Sequence, residues 1–288
     1  MLIVGCGDVG RKIAVRARHR GDAVHCLVSS HASAARLRDN NLPALAVNLD
    51  EETPALDDLR NREQVFYLAP PPPSGTGDPR MRRLLDGLAH DRRYRIVYIS
   101  TTGVYGDCDG AWVDERRPVN PQVDRARRRH DAEQQLRAWR SHGRGEVVVL
   151  RVAGIYGPGK LPLARLKNNV PMIAAHEAPW TNRIHIDDLV TVCEAAMLRA
   201  RDGETYNVSD GNPGNMRDYF DRVADLYGLP RAPTISLSEA RASLSPGMLS
   251  YLGESRRLDN RKMLDQLGVT LRYPDLAQGL AACRQPDQ

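Results

Sequence analysis

Short apolar runs alternate with amphipathic segments along the first two thirds of the chain. Continuous apolar runs predict buried strands, and apolar positions that recur every three or four residues predict helices. The predicted strands are 1–5, 23–28, 44–47, 65–69, 95–100, 146–152 and 205–208. The predicted helices are 9–19, 33–38, 81–88, 123–138 and 187–199. Because the central strands are apolar throughout, this alternation predicts an α/β fold with a doubly wound parallel sheet of about seven strands.

The pattern changes after residue 208. A helix predicted at 216–227 is followed by loops rich in proline and serine and by a further helix at 258–267. We therefore expect a main domain of residues 1–156, completed by 183–208. Residues 157–182 and 209–288 are expected to form a smaller lobe.

The composition is that of a soluble globular protein. Of the 288 residues, 41% are hydrophobic and 27% charged, and no apolar run approaches the ~20 residues that span a bilayer. The chain opens directly on an apolar run, so we expect no signal peptide. The five cysteines are scattered without a C-x-x-C or Cys/His cluster, which favours reduced thiols in the cytoplasm and no metal site.

A net charge of +5 raises the question of a polyanionic partner. The densest basic run, 125–129, continues into Asp131 and Glu133, which is typical of one solvated helix face rather than of a nucleic-acid patch. We therefore expect a small-molecule substrate and neither a nucleic-acid nor a membrane partner.

A glycine motif follows the first predicted strand. The sequence G-C-G-D-V-G fits the pattern G-x-G-x-x-G, and the first helix begins within it. Gly5 would permit the tight turn, Gly7 the approach of a pyrophosphate, and Gly10 the close packing of helix on strand. The positive end of that helix, with Asp8 and Val9, would face the phosphates. In this setting the motif predicts a Rossmann-type site for NAD or NADP.

The end of the second predicted strand bears on the choice of dinucleotide. An NAD site usually carries Asp or Glu there, about 20 residues after the glycines. This chain instead has Ser29 and Ser30, with Arg36 nearby. These residues would accept a 2′-phosphate, which favours NADP over NAD. Alternatively, the two serines only cap the following helix.

Three further motifs resemble those of the extended short-chain dehydrogenase/reductases, the NAD-dependent epimerase/dehydratase group. They are S-T-T-G-V-Y-G at 100–106, R-V-A-G-I-Y-G-P-G at 151–159 and R-I-H-I-D-D at 183–188. Together with the glycine motif they cover most of the chain in the order of the family. The resemblance implies a dinucleotide-binding domain, a small C-terminal substrate lobe and a homodimer.

The resemblance also implies an acid–base pair. The family uses a Tyr and a Lys one helical turn apart and a Ser or Thr after the fifth strand, and the phenol exchanges a proton with the substrate. Thr101 matches the Ser/Thr. Aligning Glu133 with the acid of the family pattern, however, puts Arg125 at the Tyr position and Arg129 at the Lys position. Arginine stays protonated and cannot donate that proton, although Arg129 could place a cation against the ribose or phosphates.

One literal Tyr-x-x-x-Lys does occur, at Tyr156 and Lys160. Two glycines and a proline in this segment forbid the helix that would put both side chains on one face, so we reject it as the catalytic pair. Thr101 and Tyr105, at the carboxyl edge of the sheet, are therefore our candidates for proton transfer. Tyr105 could alternatively pack the loop.

Further candidates for ligand contacts lie elsewhere in the chain. Those assigned to the substrate are Tyr156, Trp180 and Arg183, and those assigned to the cofactor are Asn48, Leu49, Ala69 and Pro70. Elsewhere we expect packing roles: an aspartate after His185 would cap the next helix, with His185 itself in the core. The tryptophans are expected to be packing anchors, although Trp180 could line a pocket.

Two hypotheses remain open from the sequence. The first is an atypical reductase or epimerase that acts on a small polar substrate, which could be a nucleotide sugar, and uses Thr101, Tyr105 or water in place of the tyrosine. The second is a protein that binds NAD(P) and senses its redox state without turnover. The glycine motif beside the altered pair favours the second, and the substrate lobe favours the first.

Overall fold

The structure is a computed structural model that describes residues 1–56, 63–243 and 253–284. Its strands pair mostly in parallel, and in chain order they are β1 (Leu2–Val4), β2 (His25–Val28), β3 (Ala44–Ala46), β4 (Gln64–Tyr67), β5 (Tyr94–Thr101), β6 (Trp112–Val113), β7 (Gly145–Val152), β8 (Gly154–Tyr156), β9 (Met172–Ile173), β10 (Trp180–Thr181), β11 (Arg183–His185), β12 (Thr205–Val208), β13 (Gly214–Asn215), β14 (Thr234–Ile235) and β15 (Arg257–Leu258). All seven predicted strands are confirmed, with ends that shift by a few residues.

The helices alternate with the long strands as predicted. In chain order they are α1 (Asp8–His19), α2 (His31–Asp39), α3 (Pro79–Gly87), α4 (Asp124–Ser141), α5 (Leu163–Lys167), α6 (Ile186–Arg199), α7 (Met216–Tyr227), α8 (Leu237–Ser243), α9 (Arg261–Leu267) and α10 (Leu276–Cys283). A short 3₁₀ turn, Thr102–Tyr105, follows β5. Within the described residues, no helix combines the length and the apolar character needed to cross a membrane.

The central sheet is a seven-stranded parallel sheet in the order β3-β2-β1-β4-β5-β7-β12. The strand order reverses between β1 and β4, which pair in parallel with Val4 opposite Tyr67. In doubly wound sheets a crevice for ligands opens at the carboxyl ends of the strands beside such a reversal. The Rossmann-type fold predicted from the sequence is therefore confirmed, and it fixes where a ligand site is to be sought.

Both faces of the sheet are buried. Alternate residues of β1 belong to different apolar clusters: Ile3 packs with α1 and α6 on one face, whereas Leu2 and Val4 pack with α3 and α4 on the other. This two-sided burial explains why the strand is apolar throughout rather than alternating.

The C-terminal segments contribute to two clusters. Tyr156, Met172 and Phe220 belong to a separate apolar cluster to which α7 and α10 also contribute. Helix α9 instead packs its Met263 and Leu267 into the cluster shared by α1 and α6. The predicted helix 258–267 was too long at its start, because residue 258 lies in β15, which pairs with β6.

Candidate functional site

The three glycines of the motif have three different surroundings. A Cβ on Gly5, whose φ is +82°, would lie 2.4 Å from the main-chain nitrogen of Ala69. One on Gly10 would lie 3.0 Å from Cγ2 of Ile3, because α1 rests directly on β1. One on Gly7 would meet no described atom within 4 Å. The first glycine thus makes the turn, the last lets the helix approach the strand, and the middle one leaves open space for a ligand.

That open space belongs to a cleft of about 670 Å³ at the reversal of the strand order. The cleft begins at the N-terminus of α1, whose N-cap residue, Gly7, has no side chain to bond the first helix amides and so leaves them available to a ligand. Among the predicted cofactor residues, those that line it are Gly5, Gly7, Asp8, Ser29, Arg36, Asn48, Leu49, Ala69 and Pro70. Val9, Gly10 and Ser30 are not part of its lining, and Arg129 lines the neighbouring cleft.

The two serines after β2 play different parts. Ser30 caps α2, because its hydroxyl accepts a hydrogen bond from the amide of Ser33 at 3.2 Å. Ser29 lines the cleft together with Ser33 and Arg36, and the Arg36 guanidinium donates to the Ser33 hydroxyl at 3.2 Å. The capping alternative therefore applies to Ser30, while Ser29 and Arg36 remain available to a ligand.

A second cleft, of about 540 Å³, opens at the carboxyl ends of β5 and β7. Thr101, Arg125 and Arg129 share it with the predicted substrate residues Tyr156, Trp180 and Arg183. Several further residues that line it were not predicted from the sequence, among them two cations: Lys160 in the turn after β8 and Arg165 in α5. Their position after a strand could have suggested them, because ligands bind at that edge.

The arginines of α4 enter this cleft because of a buried ion pair. Glu133 is fully buried and accepts hydrogen bonds from Arg151 of β7 at 2.8 and 3.2 Å and from the Ser100 hydroxyl at 2.6 Å. This contact fixes the rotation of α4 against the sheet. Arg129, one turn earlier, consequently donates to the main-chain oxygens of Ala69 and Ile99 at 3.1 and 3.0 Å.

The basic run of α4 is not one solvated face, contrary to the sequence prediction. Arg128 is only 7% exposed and donates to the main-chain oxygen of Gly75 at 2.6 Å. Asp131 accepts from the amide of Asp78 at 2.7 Å. The prediction was wrong because α4 packs against the proline-rich loop after β4, whose polar main-chain groups need partners.

Thr101 and Tyr105, the two candidates for proton transfer, do not line the same cleft. The Thr101 hydroxyl lines the second cleft and accepts from the amide of Gly103 at 3.2 Å. Tyr105 is 1% exposed and donates its phenol to Oδ1 of Asn207 at 2.7 Å, outside the cleft lining. Burial raises the pKa of Tyr105 to about 12, although the Arg151 guanidinium opposes the shift. In this position Tyr105 packs the loop, which was the alternative to proton transfer.

Arg183 is the most deeply buried cation of the second cleft. It is 8% exposed, stacks its guanidinium 4.0 Å from the ring centroid of Tyr219, and donates to the Thr181 hydroxyl at 2.8 Å. Burial lowers its pKa from the usual value for arginine. One face of the cleft thus presents a rigidly held guanidinium fork, the geometry that suits carboxylate or phosphate groups.

Two of the tryptophans are more exposed than a packing role requires. Trp112 and Trp180 are 54% and 43% exposed, and the guanidinium of Arg257 lies between them, 5.5 and 5.3 Å from their ring centroids. The anchoring prediction was wrong for Trp112, whose exposed ring contacts a cation, whereas Trp180 lines the second cleft, which was the alternative for that residue. Trp139 does pack against a core cluster.

His185 lies in the core as predicted, 1% exposed, but it takes the capping role that was expected of an aspartate. Its Nδ1 accepts from the amide of Asp187 at 3.2 Å at the start of α6. Asp188 is occupied elsewhere, accepting from the amides of Arg272 and Tyr273 at 2.8 and 2.9 Å. The aspartates therefore pair with distant groups that the local sequence does not reveal.

The segment from Tyr156 to Lys160 is a turn, as expected from its glycines and proline. β8 ends at Tyr156, and the amide of Lys160 donates to the main-chain oxygen of Gly157 at 3.0 Å. Tyr156 is buried, whereas the Lys160 ammonium reaches the Asp8 carboxylate at 2.5 Å. This ion pair joins a residue that lines the first cleft to one that lines the second.

Taken together, the sheet order, the glycine geometry and the two adjoining clefts define a Rossmann-type α/β protein. The model of the NAD dependent epimerase/dehydratase family matches residues 80–209. A functionally unknown conserved protein from Silicibacter pomeroyi is 32% identical, with 98% of this chain and 97% of that chain covered and a TM-score of 0.85. Over residues 80–209, therefore, the chain is similar to the NAD-dependent epimerase/dehydratase family.

Two other relatives show the range of similarity. Protein YeeZ of Escherichia coli is 25% identical in an alignment of length 284 that covers 96% of each chain. The structure of UDP-glucuronic acid 4-epimerase from Bacillus cereus, in complex with UDP-glucuronic acid and NAD, is 18% identical. It covers 98% of this chain and 97% of its own, with a TM-score of 0.77, and at this identity it shows the common fold alone.

Proposed function

We propose that this protein is an NAD(P)-dependent oxidoreductase or epimerase that acts on a small, polar, anionic substrate with an atypical acid–base group. The observation that carries the proposal is the meeting of the two clefts at one edge of the sheet. One has the three-glycine geometry of a dinucleotide site, and the other places Thr101 among fixed cations.

The first cleft fits a dinucleotide. The uncapped start of α1 would hold the diphosphate, and the open space at Gly7 would admit it. Ser29, Ser33 and Arg36 would hold a 2′-phosphate, which favours NADP, since no carboxylate of β2 is there to bind the ribose hydroxyls. When bound, the nicotinamide supplies hydride transfer.

Thr101 would donate a hydrogen bond to the reacting oxygen of the substrate. Its oxygen already accepts from the Gly103 amide, so its hydrogen is available to a ligand in the cleft. Arg125 and Arg129, at the positions of the family Tyr and Lys, would stabilise negative charge that develops on that oxygen. Because a guanidinium does not release its proton, the proton would pass through the Thr101 hydroxyl or through water.

The cations of the second cleft favour an anionic substrate. Within the described residues, Arg165 and Arg183 line it without an ion pair to an acid, and the one acid of its lining, Glu254, pairs with Arg256. The relative from Bacillus cereus binds a nucleotide sugar, so a substrate of this class is a reasonable first member of a test panel.

Kinetics of Thr101 variants test the proposal. Purified protein is titrated with NADPH and NADH by fluorescence and then assayed with carbonyl compounds and nucleotide sugars. Thr101→Val keeps the shape of the side chain and removes the hydroxyl, so we expect turnover to fall about 10²-fold or more while dinucleotide binding persists. Thr101→Ser should restore much of the activity. Full turnover in Thr101→Val would contradict the assignment.

A non-catalytic, redox-sensing protein is the second candidate. The contacts of Arg129 favour it. The Nη1 atom of Arg129 already donates to two main-chain oxygens and lies 3.4 Å from the Tyr98 hydroxyl, as expected of a cation with a structural role. This candidate predicts binding that distinguishes oxidised from reduced dinucleotide and no turnover with any panel member.

A further inference from the structure

Lys160 connects the two clefts. Its ammonium lies 2.5 Å from the carboxylate of Asp8, the first residue of α1, although 152 positions separate them in the sequence. A tight turn presents this side chain, with Gly157 and Gly159 both at positive φ. Lys160 lines the second cleft and Asp8 the first, so their ion pair stands at the boundary between the clefts.

Asp8 places a negative charge where a dinucleotide would bring its diphosphate. The positive end of α1 would stabilise both the Asp8 carboxylate and the diphosphate, but these two negative groups would repel each other when both lie there. Only two cations are in contact with the carboxylate among the described residues: Lys160 at 2.5 Å and Arg11 at 2.9 Å. The hydrogen bond from Lys160 is the main cause that lowers the pKa of Asp8.

We propose that Lys160 is a cofactor-positioning residue that exchanges its partner: it bonds Asp8 in the free protein and the dinucleotide diphosphate in the complex. The inference rests on the proposed function, because it requires a dinucleotide in the first cleft. Arg11 continues to neutralise Asp8 after the exchange. Since Lys160 belongs to the loop that lines the second cleft, bound dinucleotide would also fix one wall of the substrate site.

Binding of NADPH and NADH to three lysine variants tests the exchange. Lys160→Met should weaken the binding of both dinucleotides about tenfold and reduce its dependence on salt, because one screened charge contact to the diphosphate is lost. Lys160→Arg should keep most of the affinity. The matched control is Lys12→Met. Lys12 lies on α1, as Asp8 does, but outside the cleft lining, and its substitution removes an ion pair of similar length, 2.9 Å to Asp187. Its affinity should stay within about twofold of the parent.

The direction in which Asp8→Asn changes dinucleotide affinity distinguishes an exchange of partners by Lys160 from an ion pair that is only structural. If Lys160 moves to the diphosphate, Asp8→Asn frees the lysine and removes a repelling charge, so the dinucleotides should bind more tightly. If the Asp8–Lys160 pair only stabilises the turn after β8, Asp8→Asn and Lys160→Met should both weaken dinucleotide binding. That result would overturn the inference. Failure of the parent protein to bind either dinucleotide would instead overturn the proposed function.

Discussion

Glu133 and Arg151 form an ion pair that is almost completely buried, with side-chain exposures of 0% and 3%. The pair joins α4 to β7 from below the second cleft, and the Ser100 hydroxyl adds a third contact to the same carboxylate. Because Glu133 lies one turn after Arg129, this pair determines which residues of α4 face the cleft. A buried structural contact thus positions the candidate chemistry.

Removal of the negative charge from this pair should destabilise the protein strongly. Glu133→Gln leaves the Arg151 guanidinium buried without a counter-ion, so we expect a loss of about 3 kcal/mol in the free energy of unfolding. Urea titration followed by circular dichroism measures it. The control is Asp124→Asn, whose ion pair with Arg127 is exposed and should contribute less than about 1 kcal/mol. Similar losses in both variants would contradict the importance of burial.

Two glycines of the motif should respond differently to alanine. Gly5→Ala forces a Cβ to 2.4 Å from the Ala69 nitrogen and an alanine into positive φ, so we expect poor folding or a destabilisation of several kcal/mol. Gly7→Ala meets no described atom within 4 Å and should leave stability nearly unchanged. Its methyl group would nevertheless occupy the ligand space, and NADPH affinity should fall about tenfold or more.

Thermal unfolding and dinucleotide titration of both glycine variants check this contrast. A Gly7→Ala protein that binds NADPH as tightly as the parent would place the diphosphate elsewhere. A Gly5→Ala protein of full stability would show that the turn relaxes more easily than its contact with Ala69 indicates.

Arg36 should determine the preference between the two dinucleotides. Loss of a charge-assisted bond to the 2′-phosphate in Arg36→Gln should weaken NADPH binding about tenfold to 100-fold and leave NADH binding unchanged. Calorimetric titration with both dinucleotides measures the ratio. Arg38→Gln is the control, because Arg38 lies on the same helix but donates to the main-chain oxygen of Ala44. Equal effects on NADPH and NADH would remove the basis for NADP.

Asp210 should make stability depend on pH. Burial raises the pKa of this carboxyl, which is 6% exposed, to about 7, and the charge of Arg183 only partly opposes the shift. Because the pKa of Asp210 is higher in the folded than in the unfolded protein, binding of a proton to this carboxyl stabilises the fold. This contribution is complete at low pH and is lost as the pH rises toward 7. Asp210→Asn removes the charge and keeps an oxygen for the amide of Asn212.

The comparison is made by urea titration at pH 5 and pH 8. The advantage of Asp210→Asn over the parent should grow by about 2 kcal/mol between these values. An advantage that does not change with pH would show that Asp210 is ionised throughout this range.

The order and type of the main elements could be predicted from the sequence because they depend on local patterns. An apolar run such as β1 reports burial on both faces, and the G-x-G-x-x-G pattern reports a turn that only glycine at residue 5 can make. The four-residue spacing of Arg125, Arg129 and Glu133 also places them on one side of α4, and both arginines line the second cleft. In these instances the pattern that carries the information lies within a few residues, although the contacts it serves, such as that of Gly5 with Ala69, are distant.

Only the tertiary structure decided how the polar side chains are paired. Lys160 meets Asp8 across 152 positions, Arg128 is buried against the loop at Gly75, and His185 rather than an aspartate caps α6. Each depends on which distant main-chain or charged group the fold brings within hydrogen-bond distance, and no periodicity in the sequence encodes that proximity. Hydrophobic patterning determines the elements and their buried faces, whereas the site is determined by the packing of those elements.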